Sequence, residues 1–140
     1  MNPSNHHAKR PTGRTPVPLR ALGIDTPLHE LKADLFKALA HPVRVRALEL
    51  LLDGERPVSS LLAETQMEAS HLSQHLAVLR RAGMVTARRE GNAVHYRLAH
   101  PAVPELLTAA RTVLVSALST TRAALAGLED DARPTTTPAS

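Results

Sequence analysis

The apolar residues of this chain change their period midway along the sequence, and this change constrains the fold more than any other feature. Over residues 69–82, leucines recur at spacings of four and three, which predicts a helix with one buried stripe. The members of this stripe are Leu72, Leu76 and Leu79. Over residues 85–98, apolar and polar residues alternate on either side of a turn signal at residues 90–92. This second pattern predicts a β-hairpin.

Helical spacing of apolar residues predicts four further helices. They cover about residues 28–40, 42–52, 58–64 and 102–128. His41-Pro42 separates the first two helices, because the residue before a proline is pushed out of the helical region. The chain has one Phe, one Tyr and no Trp, so its core must be built from Leu, Val and Ala, which suits packed helices. We therefore expect a mainly α fold with one small hairpin, an α+β arrangement.

Both ends of the chain lack apolar periodicity. Residues 1–27 contain five prolines and several positive charges, and residues 129–140 close on a run rich in Thr and Pro. Segments of this composition bury too little apolar surface to fold, so we predict that both are disordered tails. The folded body is then a single domain over residues 28–128.

The composition excludes several classes of protein. The chain contains no cysteine, which rules out a disulfide framework, a thiolate metal site and a cysteine nucleophile. No Ser-His-Asp spacing, phosphate loop or paired-carboxylate pattern stands out, so we do not expect an enzyme. We find no apolar run of the roughly 18–20 residues that a membrane span needs, and no signal peptide. We therefore expect a cytoplasmic protein that does not associate with membranes.

Positive charge is concentrated in the segment that holds most of the helix predicted over residues 69–82 and the hairpin that follows it. Between His71 and Arg97 there are five arginines and one acid, Glu90, whereas residues 28–70 carry five basic and seven acidic residues. A basic stretch beside an acidic one is typical of a face that binds a polyanion.

The helix predicted over residues 69–82 carries short and amide-bearing side chains opposite its leucine stripe. This face holds Ser70, Ser73, Gln74, Ala77 and Arg81, and it is flanked by His71 and His75. A Gln side chain pairs well with adenine, and Ser can serve several bases. Taken alone, the face could equally be an ordinary solvated surface. The arginines of the adjacent hairpin favour an interface with duplex DNA.

The sequence resembles the ArsR family of bacterial repressors. The motifs that carry the resemblance are LFKALAHPVRVRALELL, SHLSQHLAVLRRAGMV and ARREGNAVHYRL. The resemblance implies a winged helix-turn-helix that binds a palindromic operator as a homodimer and represses its own operon. It also implies that Ser70, Ser73 and Gln74 face the major groove, and that Arg88, Arg89 and Asn92 lie in the wing. The basic N-terminal tail either follows the DNA or is a passive solubilising segment.

Members of this family dimerise through their first and last helices. The last helix here has apolar residues at spacings of four and three, a heptad-like seam that agrees with this role. The expected interface residues are Leu28, Leu31, Leu35, Val103, Leu107, Ala110, Leu114, Ala117 and Thr121. An alternative is a protein-interaction module that binds a partner through this helix and has only weak affinity for DNA.

The usual metal sites of the family are missing from this chain. The third helix has no thiolate, and Ala102, Val113 and Ser116 stand where the last helix would carry ligands. We therefore predict no metal site and no cofactor, and the sequence does not identify an inducer. An alternative is a metal-responsive repressor that uses histidines: His71 and His75, or His6 and His7 with His29 or His100. His41, at a helix junction, is predicted to be a structural cap.

Overall fold

A computed structural model describes residues 23–132 of the chain. Its helices are α1 (Leu28–Leu39), α2 (Pro42–Leu50), α3 (Val58–Thr65), α4 (Ala69–Arg81) and α5 (Ala102–Ala132). Its strands are β1 (Arg56–Pro57), β2 (Val85–Glu90) and β3 (Ala93–Leu98). The expected mainly α fold with one hairpin is confirmed. The N-terminal segment 1–22 and residues 133–140, both predicted to be disordered, lie outside the described residues.

The junction between α1 and α2 follows from the His41-Pro42 pair. Pro42 occupies the first turn of α2, where its missing N–H leaves no bond unmade. The backbone N–H of Val43 donates a hydrogen bond of 3.1 Å to Nδ1 of His41, which satisfies one of the free donors at the helix start. The prediction that His41 is a structural cap is confirmed.

A tight connection joins α3 to α4. Gln66 ends α3 in the left-handed region, with φ of 54°, and its N–H bonds to the carbonyl of Leu62. Two residues later the chain enters α4, after an extended Glu68. The two helices with this short connection form the helix-turn-helix that the sequence predicted.

The sheet has three antiparallel strands in the order β1-β3-β2. Val85 pairs with Leu98 and Glu90 with Ala93, so the hairpin closes through a two-residue turn at Gly91 and Asn92. Gly91 has φ of 58°, which a turn of this length favours. Glu90 is therefore a strand residue and not part of the turn. Strand β1 was not predicted, because two residues carry no periodicity.

The core lies between α2, α3, α4 and the start of the hairpin. The predicted stripe of α4 is confirmed, since Leu72, Leu76 and Leu79 are almost fully buried. The apolar spacing predicts that Leu52 belongs to the buried stripe of α2 and that Ala87 faces inward in the hairpin, but Leu52 is 46% exposed beyond the end of α2 and Ala87 is exposed in β2. The first half-turn past α2 points Leu52 outward, and no layer covers the hairpin at Ala87.

Helix α5 leaves the core soon after it begins. Val103 is buried, whereas every residue from Thr108 to the end of the helix is exposed. The helix reaches Ala132, four residues beyond the predicted boundary at Leu128. By length and composition alone it could span a membrane, contrary to the expectation that no segment would. Within one chain, this apolar helix has no covering partner among the described residues.

Candidate nucleic-acid interface

Helix α4 presents a polar face to solvent opposite its buried leucines. Ser70, Ser73 and Gln74 are all exposed, and Ala77 is half-buried. The helical period of 3.6 residues places Ser70, Gln74 and Ala77 in one row along the helix, opposite Leu72 and Leu79. The side chains in this row are small or end in an amide, so the face can approach another surface closely.

The hairpin stands beside this helix. A groove of about 450 Å³ separates them, and its lining includes Ser73 of α4 and Asn92 of the hairpin turn. Tyr96 of β3 and Pro57, which precedes α3, also line it. The structure thus brings Ser73 and Asn92, which are distant in the sequence, to the two sides of one groove.

The two histidines of α4 lie in different environments. The His71 side chain is 59% exposed, with its Nδ1 3.8 Å from a carboxylate oxygen of Glu68. The His75 ring is half-buried and stacks on the ring of His41. Burial lowers the pKa of His75, and the positive charges of His41, Arg44 and His71 lower it further. The sequence suggested a DNA contact for His75, and the structure shows that its ring packs against His41 of the α1–α2 junction.

Arg81 lies on the same side of α4 as the polar row, but at the far end of the helix. It is exposed at the end of α4, seven residues and roughly 10 Å along the axis from Gln74. It lines a groove against α1 that includes Leu31 and Leu35. The structure does not bring Arg81 together with Ser73 and Asn92, because α1 packs on the C-terminal part of α4.

The two arginines of β2 point to opposite faces of the hairpin, because successive side chains of a strand alternate. Arg88 donates hydrogen bonds to Glu55, at 2.5 Å, and to Glu90, at 2.8 Å. These bonds raise the pKa of Arg88 and lower that of Glu55. Arg89 is exposed, and among residues 23–132 no carboxylate forms an ion pair with it.

The sequence did not reveal Glu55 and Glu90 as partners of Arg88. Glu55 lies in the connection between α2 and β1, 33 residues before Arg88, so periodicity could not relate the two. The pairing of Arg88 with His95 across the hairpin brings His95 into the same cluster, 3.8 Å from Glu55 and 3.9 Å from Glu90. The only signal in the sequence was that Glu90 is two residues from Arg88.

The expected dimer residues fall into three groups by exposure. Leu28 and Leu114 are more than half exposed, and Ala110, Ala117 and Thr121 are exposed as well. Leu31, Leu35 and Leu107 are half-buried. Val103 was expected at the dimer interface, and in the single chain it is 5% exposed and belongs to the core. The heptad spacing could not reveal this, because the first turn of α5 packs on the domain.

Within residues 23–132, no three His, Asp or Glu side chains are grouped so that they could hold a metal ion. His100 instead accepts a hydrogen bond at Nδ1 from the backbone N–H of Ala102, at 2.9 Å, and so helps to cap α5. His29 is exposed on α1. His6 and His7, on which one histidine site depended, lie outside the described residues.

A family model and curated relatives both match this chain, and they point to one family. Residues 41–87 match the family model described as bacterial regulatory protein, arsR family. The HTH-type transcriptional regulator Rv0081 of Mycobacterium tuberculosis is 55% identical over 94 residues, 66% of this chain and 82% of the relative. The biofilm growth-associated repressor of Agrobacterium fabrum is 43% identical over 77 residues, 55% of this chain and 66% of that protein.

Solved structures agree with these relatives. The crystal structure of M. tuberculosis Rv0081 superimposes with a TM-score of 0.65 at 54% identity, covering 69% of this chain and 97% of that one. A homodimeric winged helix-turn-helix DNA-binding domain from Mycobacterium bovis, solved by NMR, has a TM-score of 0.58 at 37% identity. The match covers 62% of this chain and 81% of that domain.

The fold and the relatives point to the same class of protein. The hairpin of β2 and β3 beside α4 is the wing of a winged helix-turn-helix, as the sequence predicted, and β1 adds a third strand to its sheet. The relatives are transcriptional regulators, which confirms that this chain is not an enzyme. The chain therefore belongs to the arsR family of bacterial regulatory proteins.

Proposed function

We propose that this protein is a dimeric, autoregulatory repressor that binds a pseudo-palindromic operator in duplex DNA. The observation that carries the proposal is the exposed polar row of α4 beside the wing groove shared by Ser73 and Asn92. A helix with short polar side chains can enter a major groove, and a neighbouring hairpin can follow the DNA backbone.

The polar row supplies the contacts that read sequence. Gln74 is exposed at its centre, and its amide can form two hydrogen bonds with adenine. Ser70 and Ser73, in the first two turns of α4, can approach neighbouring bases.

Other exposed groups contact phosphates and position the protein without reading sequence. Arg89, free of any ion pair among the described residues, and Asn92 act from the wing, and His71 acts from α4. Arg88 contributes less than Arg89 because two carboxylates already hold it. Arg81 and His75 are left out of the DNA contacts, since they face α1 and α2.

The second copy of the chain covers the apolar face of α5. Leu114, Leu118 and Leu125 are 56% to 67% exposed, which is unfavourable for a helix left in water. Leu28, at the start of α1, adds to this surface. The homodimeric relative from M. bovis supports this assignment. A twofold dimer carries two recognition helices and suits two half-sites about one turn of DNA apart.

This role assigns DNA binding and dimerisation to residues 28–132 and places the protein in the cytoplasm with its operator. The alternatives for α5, a foreign protein partner or a lipid bilayer, make different predictions. A protein-interaction module would have weak DNA affinity without sequence preference. A membrane protein would require detergent to remain in solution.

Selection from a randomised duplex library tests the proposal. We expect the full-length protein to enrich a pseudo-palindrome whose half-sites lie about 10 base pairs apart. A reporter gene placed behind the enriched sequence should be expressed less when the protein is present. Failure to enrich any sequence would contradict the proposal, and increased reporter expression would identify an activator.

A further inference from the structure

The guanidinium group of Arg88 is held from two directions. Glu55 accepts a hydrogen bond at 2.5 Å from Nη2, and Glu90 accepts one at 2.8 Å from Nη1. Glu55 belongs to the body of the domain, in the connection from α2 to β1, whereas Glu90 belongs to the wing itself. Bonds between a guanidinium and carboxylates are among the stronger hydrogen bonds of proteins.

The cluster is nevertheless open to solvent. The side chain of Arg88 is 52% exposed and that of Glu90 67%, so a phosphate could reach the guanidinium. Its approach would be opposed by both carboxylates, and Arg88 would first have to give up its two acidic partners. Arg89, on the other face of the hairpin, has no such competitor among residues 23–132. The two neighbouring arginines are therefore not equivalent.

We propose that Glu55 and Glu90 compete with DNA phosphates for Arg88 and so limit the affinity of the wing for DNA. This inference rests on the proposed function, because it assumes that the wing lies along DNA. Binding to random DNA depends on phosphate contacts alone, so a guanidinium occupied by carboxylates reduces it. Binding to the operator includes the same phosphate contacts and adds base contacts made by α4. The two acids thus lower the affinity of the wing for both kinds of duplex.

The test compares Glu55→Gln and Glu90→Gln with the unmodified protein. Each variant keeps the size of the side chain but removes one of the two charges that hold Arg88. Because each phosphate contact contributes a salt dependence with a slope of about −0.9, one additional contact should tighten binding to a random duplex about fivefold to tenfold near 0.1 M salt. The slope of log K against log salt should steepen by about one. The operator selected above should gain to a similar extent, because a phosphate contact does not read sequence.

A change in net charge alone must be separated from release of Arg88. Glu30→Gln on α1 makes the same change of charge at an exposed position with no ion pair among the described residues, and we expect it to have little effect. In an Arg88→Ala background, Glu55→Gln should no longer tighten binding to random DNA. Glu90 lies at the exposed end of the hairpin, so its variant tests the proposal even if Glu55→Gln disturbs the connection to β1.

Three results are distinguishable. Equal gains for Glu55→Gln in the presence and absence of Arg88 would overturn the proposal while leaving DNA binding intact. Unchanged or weaker affinity for random DNA in both Gln variants would also overturn the proposal. If the unmodified protein shows no preference for any duplex, the proposed function fails and this inference fails with it.

Discussion

The ring of His75, on the recognition helix α4, stacks on the ring of His41, at the start of α2, with centroids 4.2 Å apart and planes inclined by 40°. His41 caps α2 with the nitrogen Nδ1 of the same ring. One pair of side chains therefore joins the junction between α1 and α2 to helix α4, the helix that we propose reads DNA. Within this contact, burial and neighbouring positive charges lower the pKa of His75.

The stability of the protein should decrease in acid because of His75. Burial, followed by the positive charges of His41, Arg44 and His71, lowers the pKa of His75 below its ordinary value in an unfolded chain, about 6.5. Below pH 6.5 the unfolded chain therefore binds more protons at this position than the folded protein, and the free energy of unfolding falls as the pH falls. Urea unfolding between pH 7.5 and 5.5 measures this change. His75→Gln should reduce the pH dependence, and His29→Gln, on the exposed surface of α1, should not. A pH dependence that survives unchanged in His75→Gln would assign the effect to another group.

The cap of α2 should contribute measurably to stability. His41→Ala removes the acceptor for the N–H of Val43 and should lower the free energy of unfolding by about 1 kcal/mol. His41→Asn supplies a good capping side chain and should retain the capping contribution, although it loses the ring stack. Chemical denaturation compares the two variants. Equal losses for Ala and Asn would show that the stack on His75, and not the cap, carries the contribution of His41.

A charge on the apolar face of α5 should prevent dimerisation. Leu114 is 62% exposed in the single chain, and Leu114→Glu would bury a carboxylate between the two copies. We expect sedimentation equilibrium to show monomers for this variant at concentrations where the unmodified protein is dimeric. Thr112→Glu, two residues away on the opposite side of the helix, is the matched control and should leave the dimer intact. A stable Leu114→Glu dimer would place the interface elsewhere.

Gln74 and Arg89 should affect DNA binding in different ways. Gln74→Ala removes a base contact and should cost about 1–3 kcal/mol on the operator but little on random DNA. Arg89→Ala removes a phosphate contact, so it should weaken both duplexes to a similar extent and reduce the salt slope by about one. Titration of each variant with both duplexes measures these effects. Equal losses on operator and random DNA for Gln74→Ala would refute its role in reading a base.

Local patterns in the sequence determined most of the fold. The spacing of Leu72, Leu76 and Leu79 was sufficient to predict α4 and its buried side, and His41-Pro42 predicted the start of α2 and its cap. Periodicity describes one helix at a time, so it could not show which element packs against a given turn. For this reason it assigned Val103 to the dimer interface, although the domain itself buries this residue.

The candidate site was less predictable because its chemistry depends on contacts between distant segments. The charge of Arg88 suggested a phosphate contact, but the strand register and the position of Glu55 determine that carboxylates hold it. In the same way, the position of His75 on α4 suggested a role at the DNA, and only the packing of α2 brings His41 onto its ring. The exposure of Gln74 was easier to predict, because helical spacing alone places it opposite the buried leucines of α4.

A fluorescence-anisotropy titration tests the central claim most directly. The dimer is titrated into labelled duplex DNA from the region upstream of its own gene, and into a scrambled duplex, between about 50 and 200 mM salt. Each titration is carried out once with chelator and once with zinc. We predict an affinity for the upstream duplex at least about a thousandfold higher, a steep loss of affinity with salt, and no effect of zinc. Release of the DNA by zinc would favour a histidine metal sensor, and equal affinities for the two duplexes would contradict sequence-specific repression.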